Sequence, residues 1–465
     1  MVSTARTFEI HTYGCQMNVH DSERLAGLMV ADGLVPVEPG QQADVVLFNT
    51  CTIRENADKR LYAALGQLKA LKESRPDMQI AVGGCMAQKD RDSIIKRAGF
   101  VDVVFGTHNI GSAPGLLRRS RTEGPLVEIL DAPDPEAHLD MAPALNAVRE
   151  VPWAAWVTVQ TGCNNSCAFC IVPSVRGDEV SRPFDDLVAE VTMLAGQGVT
   201  EITLLGQNVN TYGRDITKRR PLFADLLRAV SAVEGIERVR YTSPHPRDLR
   251  PETIAAMAET PEICPQLHLP LQSGSNEVLV AMRRGYTAER YLERLADARA
   301  AMPGLAVTTD IIVGFPGETE AQFEETLQVV AEAQFDSAYT FIFSPRPGTR
   351  AAEMEDSFIA PEVIKDRFAR LDAVIDRSAL LRNEARVGIE EEVLIEGASR
   401  RDDTRVSGRT RQGKLIHFMP PAEGLRPGSL ATVKVEYGAP FHLLGSYVAT
   451  LRQPRHKIRI PLLNS

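Results

Sequence analysis

Aromatic residues make up only 6% of the 465-residue chain, and two of them are tryptophan. No apolar run approaches the roughly 18 residues that a membrane span requires. The opening stretch, Met1-Val-Ser-Thr-Ala-Arg-Thr-Phe8, has no apolar segment of signal-peptide type. The expectation is therefore a cytoplasmic protein with no membrane segment. Neither an internal repeat nor a low-complexity tract is present. Cysteine is scarce and odd in number: seven, at 15, 51, 85, 163, 167, 170 and 264. That argues against a disulfide framework, and in a reducing compartment grouped thiols more often bind metal or do chemistry.

The net charge of −9 argues weakly against nucleic acid as a partner of the whole chain, but the charge is uneven. Glu391–Ser465 holds 12 Lys/Arg and 7 Asp/Glu, a net +5, so residues 1–390 carry −14. A basic end on an acidic body suits a polyanion-binding module; a plain solvated surface is the alternative.

Three regions follow from the patterning. Residues 5–122 alternate strand and helix, with strands at Thr7–Tyr13, Asp44–Asn49, Gln79–Val82 and Val101–Phe105 and a helix at Asp21–Ala31. The continuous apolar runs fit a parallel sheet buried on both faces. Residues 123–148, rich in Pro, Ala and acids, read as a linker. Residues 149–382 resume the alternation. Strands are expected at Ala155–Gln160, Glu201–Leu205, Arg238–Thr242, Gln266–Leu271, Val307–Val313 and Ala338–Phe343, and a long helix at Pro361–Arg386. Six strand–helix units suggest an incomplete parallel (β/α)6 barrel, with an open doubly wound sheet as the alternative. Residues 385–452 switch to short strands (Glu392–Glu396, Thr404–Arg409, Leu415–Phe418, Leu430–Glu436) between Gly, Pro and Asp turns, which reads as a small all-β barrel. A basic tail, 453–465, closes the chain.

Cys163, Cys167 and Cys170 sit within eight residues, in a loop just after a strand. Three thiolates on a tight loop can wrap one cubane cluster and leave one iron without a protein ligand. Structural zinc, the competitor, wants four ligands, usually as two separated pairs. The spacing Cys-x3-Cys-x2-Cys, with Phe169 before the last Cys, resembles the signature of the radical SAM superfamily. That resemblance implies a [4Fe–4S] cluster whose open iron binds S-adenosylmethionine, which one electron cleaves to a 5′-deoxyadenosyl radical. It further implies that Phe169, Gly206, Gln207, Asn208, Gln272, Gly314, Gly317 and Glu318 line the cofactor site. Of these, Asp310-Ile-Ile-Val-Gly-Phe-Pro-Gly-Glu318 resembles the strand-end motif whose backbone meets the adenine.

Cys15, Cys51 and Cys85 share no local motif, but each follows the carboxyl end of a strand in the first region. Ligand sites gather at that edge of a parallel sheet, and Gly14, Gly83 and Gly84 permit sharp turns there. Three separate buried thiols are the alternative. Two three-cysteine sites followed by a small barrel resemble the radical SAM methylthiotransferase family, whose terminal barrel is called TRAM. Thr12-Tyr-Gly-Cys-Gln-Met-Asn18, Gly206-Gln-Asn-Val-Asn210, Ser243-Pro-His-Pro246 and Leu267-His-Leu-Pro-Leu-Gln-Ser-Gly274 are similar to its MiaB-type branch. The resemblance implies two [4Fe–4S] clusters and two S-adenosylmethionine molecules, one supplying a methyl group and one a radical. It implies a methylthio group placed on C2 of N6-dimethylallyl (isopentenyl) adenosine at tRNA position 37. The siblings act on threonylcarbamoyl-adenosine in tRNA or on a ribosomal-protein aspartate. Implied partners are the tRNA anticodon stem-loop and a flavodoxin- or ferredoxin-like electron donor, with the enzyme a monomer.

Arg400, Arg401, Arg405, Arg409, Arg411 and Lys414 crowd one part of the terminal module, and Arg452, Arg455, Lys457 and Arg459 form a second group. A basic β-barrel suits looped or single-stranded RNA. Cys264 reads as a core thiol, and Trp153 and Trp156 as packing at the entry to the second region. His245 and His268 lie at strand ends facing the expected site and read as structural. Arg176-Gly-Asp-Glu179 is a loop to which the residues alone assign no chemistry; the resemblance alone implies that it lies near the active site. A non-catalytic iron–sulfur RNA-binding protein or redox sensor is the rival from another class.

Overall fold

The computed structural model describes residues 5–38, 40–52, 55–131, 149 and 151–455. Most of the expected linker and of the basic tail, with Lys457 and Arg459, lies outside the described residues.

Continuous apolar runs bury the centre of the first sheet on both faces. Its strands are β1 (Thr7–Tyr13), β2 (Val35–Pro36), β3 (Val45–Thr50), β4 (Gln79–Gly84), β5 (Val103–Phe105) and β6 (Leu126–Glu128). All pairs are parallel, in the order β2-β1-β3-β4-β5-β6. Every residue of β3 and β4 is buried. Because β1 lies between β2 and β3, the chain crosses over it, and a crevice opens at the carboxyl ends of β1 and β3. The expected linker started too early: β6 falls at its head and completes the sheet beside β5.

The second region forms two three-stranded parallel sheets. One holds β7 (Ala154–Thr158), β10 (Glu201–Leu205) and β11 (Arg238–Tyr241). The other holds β12 (Gln266–His268), β13 (Ala306–Val313) and β14 (Ser337–Ile342). A parallel bridge between Val239 and Ile263 joins them, so six strands run in sequence order as an open barrel around Val157, Leu204, Val239, Leu267 and Val307. The expected strand Ala155–Gln160 is split. After β7 the chain turns into β8 (Gln160–Thr161), which pairs antiparallel with β9 (Val180–Ser181). The pair pins both ends of the loop carrying Cys163, Cys167 and Cys170. The expected Gln266–Leu271 strand stops at His268 because the Thr309 hydroxyl inserts itself, accepting from Leu271 N–H (2.9 Å) and donating to Leu269 C=O (2.9 Å).

The last region is a closed barrel of β15 (Glu390–Ala398), β16 (Val406–Thr410), β17 (Leu415–Met419), β18 (Leu430–Ala439) and β19 (His442–Arg452), in the order β15-β16-β17-β19-β18. Val393, Ile395, Ile416, Phe418, Val433 and Leu443 fill it. Strand β19 was not expected: its residues are mostly half-exposed and show no regular alternation.

Buried cations bolt this barrel to the core. Arg238, 1% exposed, donates to Glu392 Oε1 (2.9 Å), Glu392 C=O (3.0 Å) and Arg409 C=O (3.0 Å). Two of the six expected RNA contacts are spent here. Lys414 Nζ meets Asp336 Oδ1 (2.6 Å) and Asn383 Oδ1 (2.7 Å). Arg411 reaches Glu392 and the carbonyls of Glu237 and Pro261. Both face the core, where a polyanion does not reach. Arg400, Arg401 and Arg409 are exposed, and Arg405 is half-buried against Asp402.

Removing one partner of a buried ion pair costs about 3–5 kcal/mol. Lys414 and Asp336 are 9% and 5% exposed, so Lys414→Ala should lower stability by about 3 kcal/mol in denaturant unfolding. Arg401→Ala should stay within about 0.5 kcal/mol of the parent.

Candidate functional site

The β8/β9 clasp gives the loop of Cys163, Cys167 and Cys170 its shape. Gly162 has φ +75°, and a Cβ there would lie 1.9 Å from Asp178 C=O, so only glycine fits immediately before the first thiol. Cys163 N–H donates to Gly177 C=O (3.1 Å), and Cys170 N–H donates to Cys167 C=O (3.1 Å). Burial pushes the Cys163 thiol up and the Cys170 thiol up to about 12; the charges of Cys167 and Cys163 add to the latter. Arg284 NH1 donates to Cys167 Sγ (3.2 Å). Its Nε reaches Tyr286 Oη (3.2 Å), which in turn donates to Leu271 C=O (2.8 Å). Phe169 packs into a small apolar cluster with Ala168, Met282 and Phe315.

Of the other expected cofactor residues, Asn208 lines a polar cleft. Asn164, Asn165, Glu179, Asn208, Thr211, Arg214, Asp215 and Arg247 line a cleft of ≈ 190 Å³. Asn208 Nδ2 donates to Asp248 (2.9 Å), while Asn208 Oδ1 and the nearby Gln207 Oε1 are buried with no hydrogen-bond partner among the described residues. Burial raises the Glu179 carboxyl above its ordinary value. Gly206 would bring a Cβ to 3.0 Å from Gln160. On the opposite sheet, Gln272 is held at φ +69° by bonds to Asp310 C=O and from Ile312 N–H. Gly314 and Gly317 have φ +77° and +81°. Glu318 departs from expectation: its carboxylate accepts from Gly314 N–H (3.1 Å) and pairs with Arg367 (3.1 Å), with the two side chains 1% and 4% exposed. It braces the turn and has no free face for a ligand. His245 accepts from Arg247 N–H, and His268 bonds Thr308 and Asp310. Cys264 is a buried core thiol.

Cys15, Cys51 and Cys85 do gather at the carboxyl ends of adjacent strands β1, β3 and β4. Cys15 caps the helix Gln16–Ala31; its N–H donates to Asn18 Oδ1, and Asn18 in turn donates to Asn49 Oδ1 (3.2 Å). The Cys15 thiol falls to about 6, chiefly through its hydrogen bond with Cys51, assisted by Arg176 and the helix N–H groups. A Cβ on Gly14 would meet Cys51 Cβ at 2.7 Å, and Gly84 has φ +91°. Cys85 is raised by burial, opposed by Arg176, whose Nε donates to its sulfur (3.3 Å).

Both donor sets are three soft thiols in glycine-shaped cradles, with one guanidinium beside a sulfur, and this suits iron–sulfur ligation. Among the described residues no group of three or more His, Cys, Asp or Glu is drawn together tightly enough for a single metal ion. The two sites face one domain junction. Arg176, from the core loop, pairs with Asp21 (2.8 Å) next to the N-terminal thiols. His20 Nδ1 lies 2.8 Å from Thr158 Oγ1 on β7. Family likeness alone puts the loop of Arg176 near the active site and gives the residue no role; Asp21, Arg284 and His20 were missed by sequence reasoning. Their only signal is burial of charge, which spacing does not display.

Residues 157–330 match the radical SAM superfamily, and residues 7–106 match a family described as uncharacterized protein family UPF0004. The chain is 54% identical to the tRNA-2-methylthio-N(6)-dimethylallyladenosine synthase of Nocardia farcinica, covering 98% of this chain and 92% of that one. It is 53% identical to the protein of the same name from Thermobifida fusca, with 98% and 92% covered. Among solved structures, the radical S-adenosylmethionine methyltransferase TsrM from Kitasatospora setae, bound to cobalamin and a [4Fe–4S] cluster, aligns with TM-score 0.54. That alignment covers 75% of this chain and 77% of the other at 14% identity, a likeness of fold.

Burial, with Arg24 nearby, drives the His20 imidazole down to about 3, against about 6.5 in an unfolded chain. Between those values the unfolded form binds the extra proton, so stability is lost as pH falls through that window, by about 1.4 kcal/mol per pH unit. In denaturant unfolding of the apoprotein between pH 6 and pH 4, His20→Gln should remove one proton's worth of that slope. An unchanged slope would show that His20 is hydrated.

Proposed function

Because the chain belongs to the family of tRNA-2-methylthio-N(6)-dimethylallyladenosine synthases and contains a radical SAM core, we infer that it places a methylthio group on C2 of N6-dimethylallyladenosine at position 37 of tRNA. The observation that carries this reading is the pair of three-thiol sites facing one junction, each at the carboxyl edge of its own parallel sheet. The names of the relatives favour this substrate over threonylcarbamoyl-adenosine or a ribosomal-protein aspartate.

Cys163, Cys167 and Cys170 would hold the cluster that S-adenosylmethionine binds, and Cys15, Cys51 and Cys85 would hold a second. When bound, these clusters supply one-electron reductive cleavage of S-adenosylmethionine and a carrier for the transferred sulfur. The protein does the rest. Gln207 and Asn208 offer buried oxygen acceptors suited to the amino groups of the cofactor. Gly314 and Gly317 let the backbone approach an adenine. Asn208, Arg214 and Arg247 fix Asp248, which stiffens the cleft wall. The adenine C2–H is neither acidic nor open to nucleophiles, so no acid–base pair of side chains is asked to activate it. The chain's task is to present that carbon and exclude water.

The barrel would grip the anticodon stem-loop while the unpaired base is extruded toward the thiol sites. Arg400, Arg401, Arg405 and Arg409 remain as phosphate contacts, with His417 and His442 packed ring to ring 5.5 Å apart beside Arg405 and Arg409. A flavodoxin- or ferredoxin-like protein would deliver the electrons to a monomeric enzyme in the cytoplasm. Among the described residues, no helix is long and apolar enough to cross a membrane.

Reconstitution without oxygen should give about eight iron per chain. Cys163→Ala, Cys167→Ala or Cys170→Ala should abolish 5′-deoxyadenosine formation. Cys15→Ala, Cys51→Ala or Cys85→Ala should stop methylthiolation while 5′-deoxyadenosine still forms. If all six variants still produced the methylthio base, the assignment would be wrong. In a plot of log affinity for tRNA against log salt, the double variant Arg401→Ala/Arg405→Ala should flatten the slope by about two. A slope already flat in the parent would exclude the barrel as an RNA grip.

A further inference from the structure

Each thiol trio has one buried guanidinium aimed at one of its sulfurs, yet the two guanidinia come from different places. Arg284 and Cys167 belong to the same domain. Arg176 does not belong with its sulfur: it lies six residues beyond Cys170, on the loop of the core trio, and crosses the junction to Cys85. Its NH2 meets Asp21 Oδ2 at 2.8 Å, with the two side chains 6% and 4% exposed. The short helix that ends at Arg176 is held on both sides. Ile171 and Val175 pack against Cys85, and Thr107 Oγ1 donates to Val175 C=O (2.7 Å).

We propose that Arg176 is a positioning residue that locks the core loop onto the N-terminal thiol site and sets the reduction potential of the cluster held there, separately from the hold of Arg284 on the core site. The proposal rests on the reading of Cys15, Cys51 and Cys85 as cluster ligands. A hydrogen bond to a ligating sulfur, and a positive charge beside it, favour the reduced and more negative cluster and so raise its potential. Burial keeps that effect from being screened by salt. A planar guanidinium presents its N–H groups in a fixed fork, here Nε to the sulfur and NH2 to the carboxylate, whereas an ammonium offers rotatable donors on one atom. Asp21, on the helix that starts at Cys15, fixes which nitrogen faces the sulfur. The same contact thus ties the spacing of the two sites to the electronics of one of them.

The test uses the full chain, reconstituted without oxygen, as parent, Arg176→Gln, Arg176→Lys and Arg284→Gln. Iron and sulfide are counted, and each cluster's midpoint potential is titrated by electron paramagnetic resonance. The Arg176 variants should shift the N-terminal midpoint to more negative potential, the Gln variant further than the Lys variant, or lose that site's iron alone. The core midpoint should not move. Arg284→Gln should do the converse. Hydrogen exchange in Val172–Arg176 should quicken in Arg176→Gln. Unmoved midpoints with full iron, or equal shifts or losses at both sites, would overturn the proposal. A parent with iron for one cluster only would sink the underlying reading, and the proposal with it; two clusters with unmoved midpoints would sink the proposal alone.

Discussion

In a parallel sheet every strand hands its following loop to the same edge, and the chemistry of this molecule is organised by that constraint. Cys15, Cys51 and Cys85 are separated by more than thirty residues at each step, but they leave strands that are hydrogen-bonded neighbours. Crossing the chain over β1 opens the crevice they share. The core obeys the same rule with a different economy: β7 and its short continuation deliver three thiols on one loop. The end of β10 delivers Asn208 beside that loop, and the ends of β12 and β13 lead into Gln272 and Gly314. Set edge against edge, the two sheets present both thiol sites to one junction.

That junction is polar where an apolar one would have been easier to stabilise. Asp21 with Arg176, and Arg182 with Glu190 at 2.6 Å, are almost wholly removed from water. Removing charges from water is costly, and pairs of this kind break even only when their geometry is good. Their merit is direction. An apolar face tolerates sliding, whereas a guanidinium bonded at once to a carboxylate and a sulfur tolerates very little. A site whose two halves must stay in register gains more from that than from additional buried area.

The sequence was most legible where local signals coincide with the final environment. The run Val45-Val46-Leu47-Phe48 reads as a strand buried on both faces, and it is one. The spacing of Cys163, Cys167 and Cys170 placed a loop site after the first core strand. The remote trio was legible only through the topology it implied. Signals failed where tertiary contacts decide. β2 and β6 are too short to show a period, and β19 alternates poorly because much of it is half-exposed. Lys414 and Arg411 look in the sequence like their basic neighbours, yet they turn inward because Asp336 and the carbonyls of Glu237 and Pro261 wait across a boundary that charge counting does not see. Glu318 carried the right motif and the wrong role, since Arg367, about fifty residues away, claims its carboxylate.

The bolts between barrel and core have one further consequence. Arg238 reaches from the core into the barrel and Lys414 from the barrel into the core, so the two contacts together set the barrel's offset from the carboxyl edge of the open barrel. An RNA held on the barrel, as proposed, would then be measured as by a ruler, by distance from the place where its stem is held, and the flexibility needed to bring the base to the chemistry would belong to the RNA.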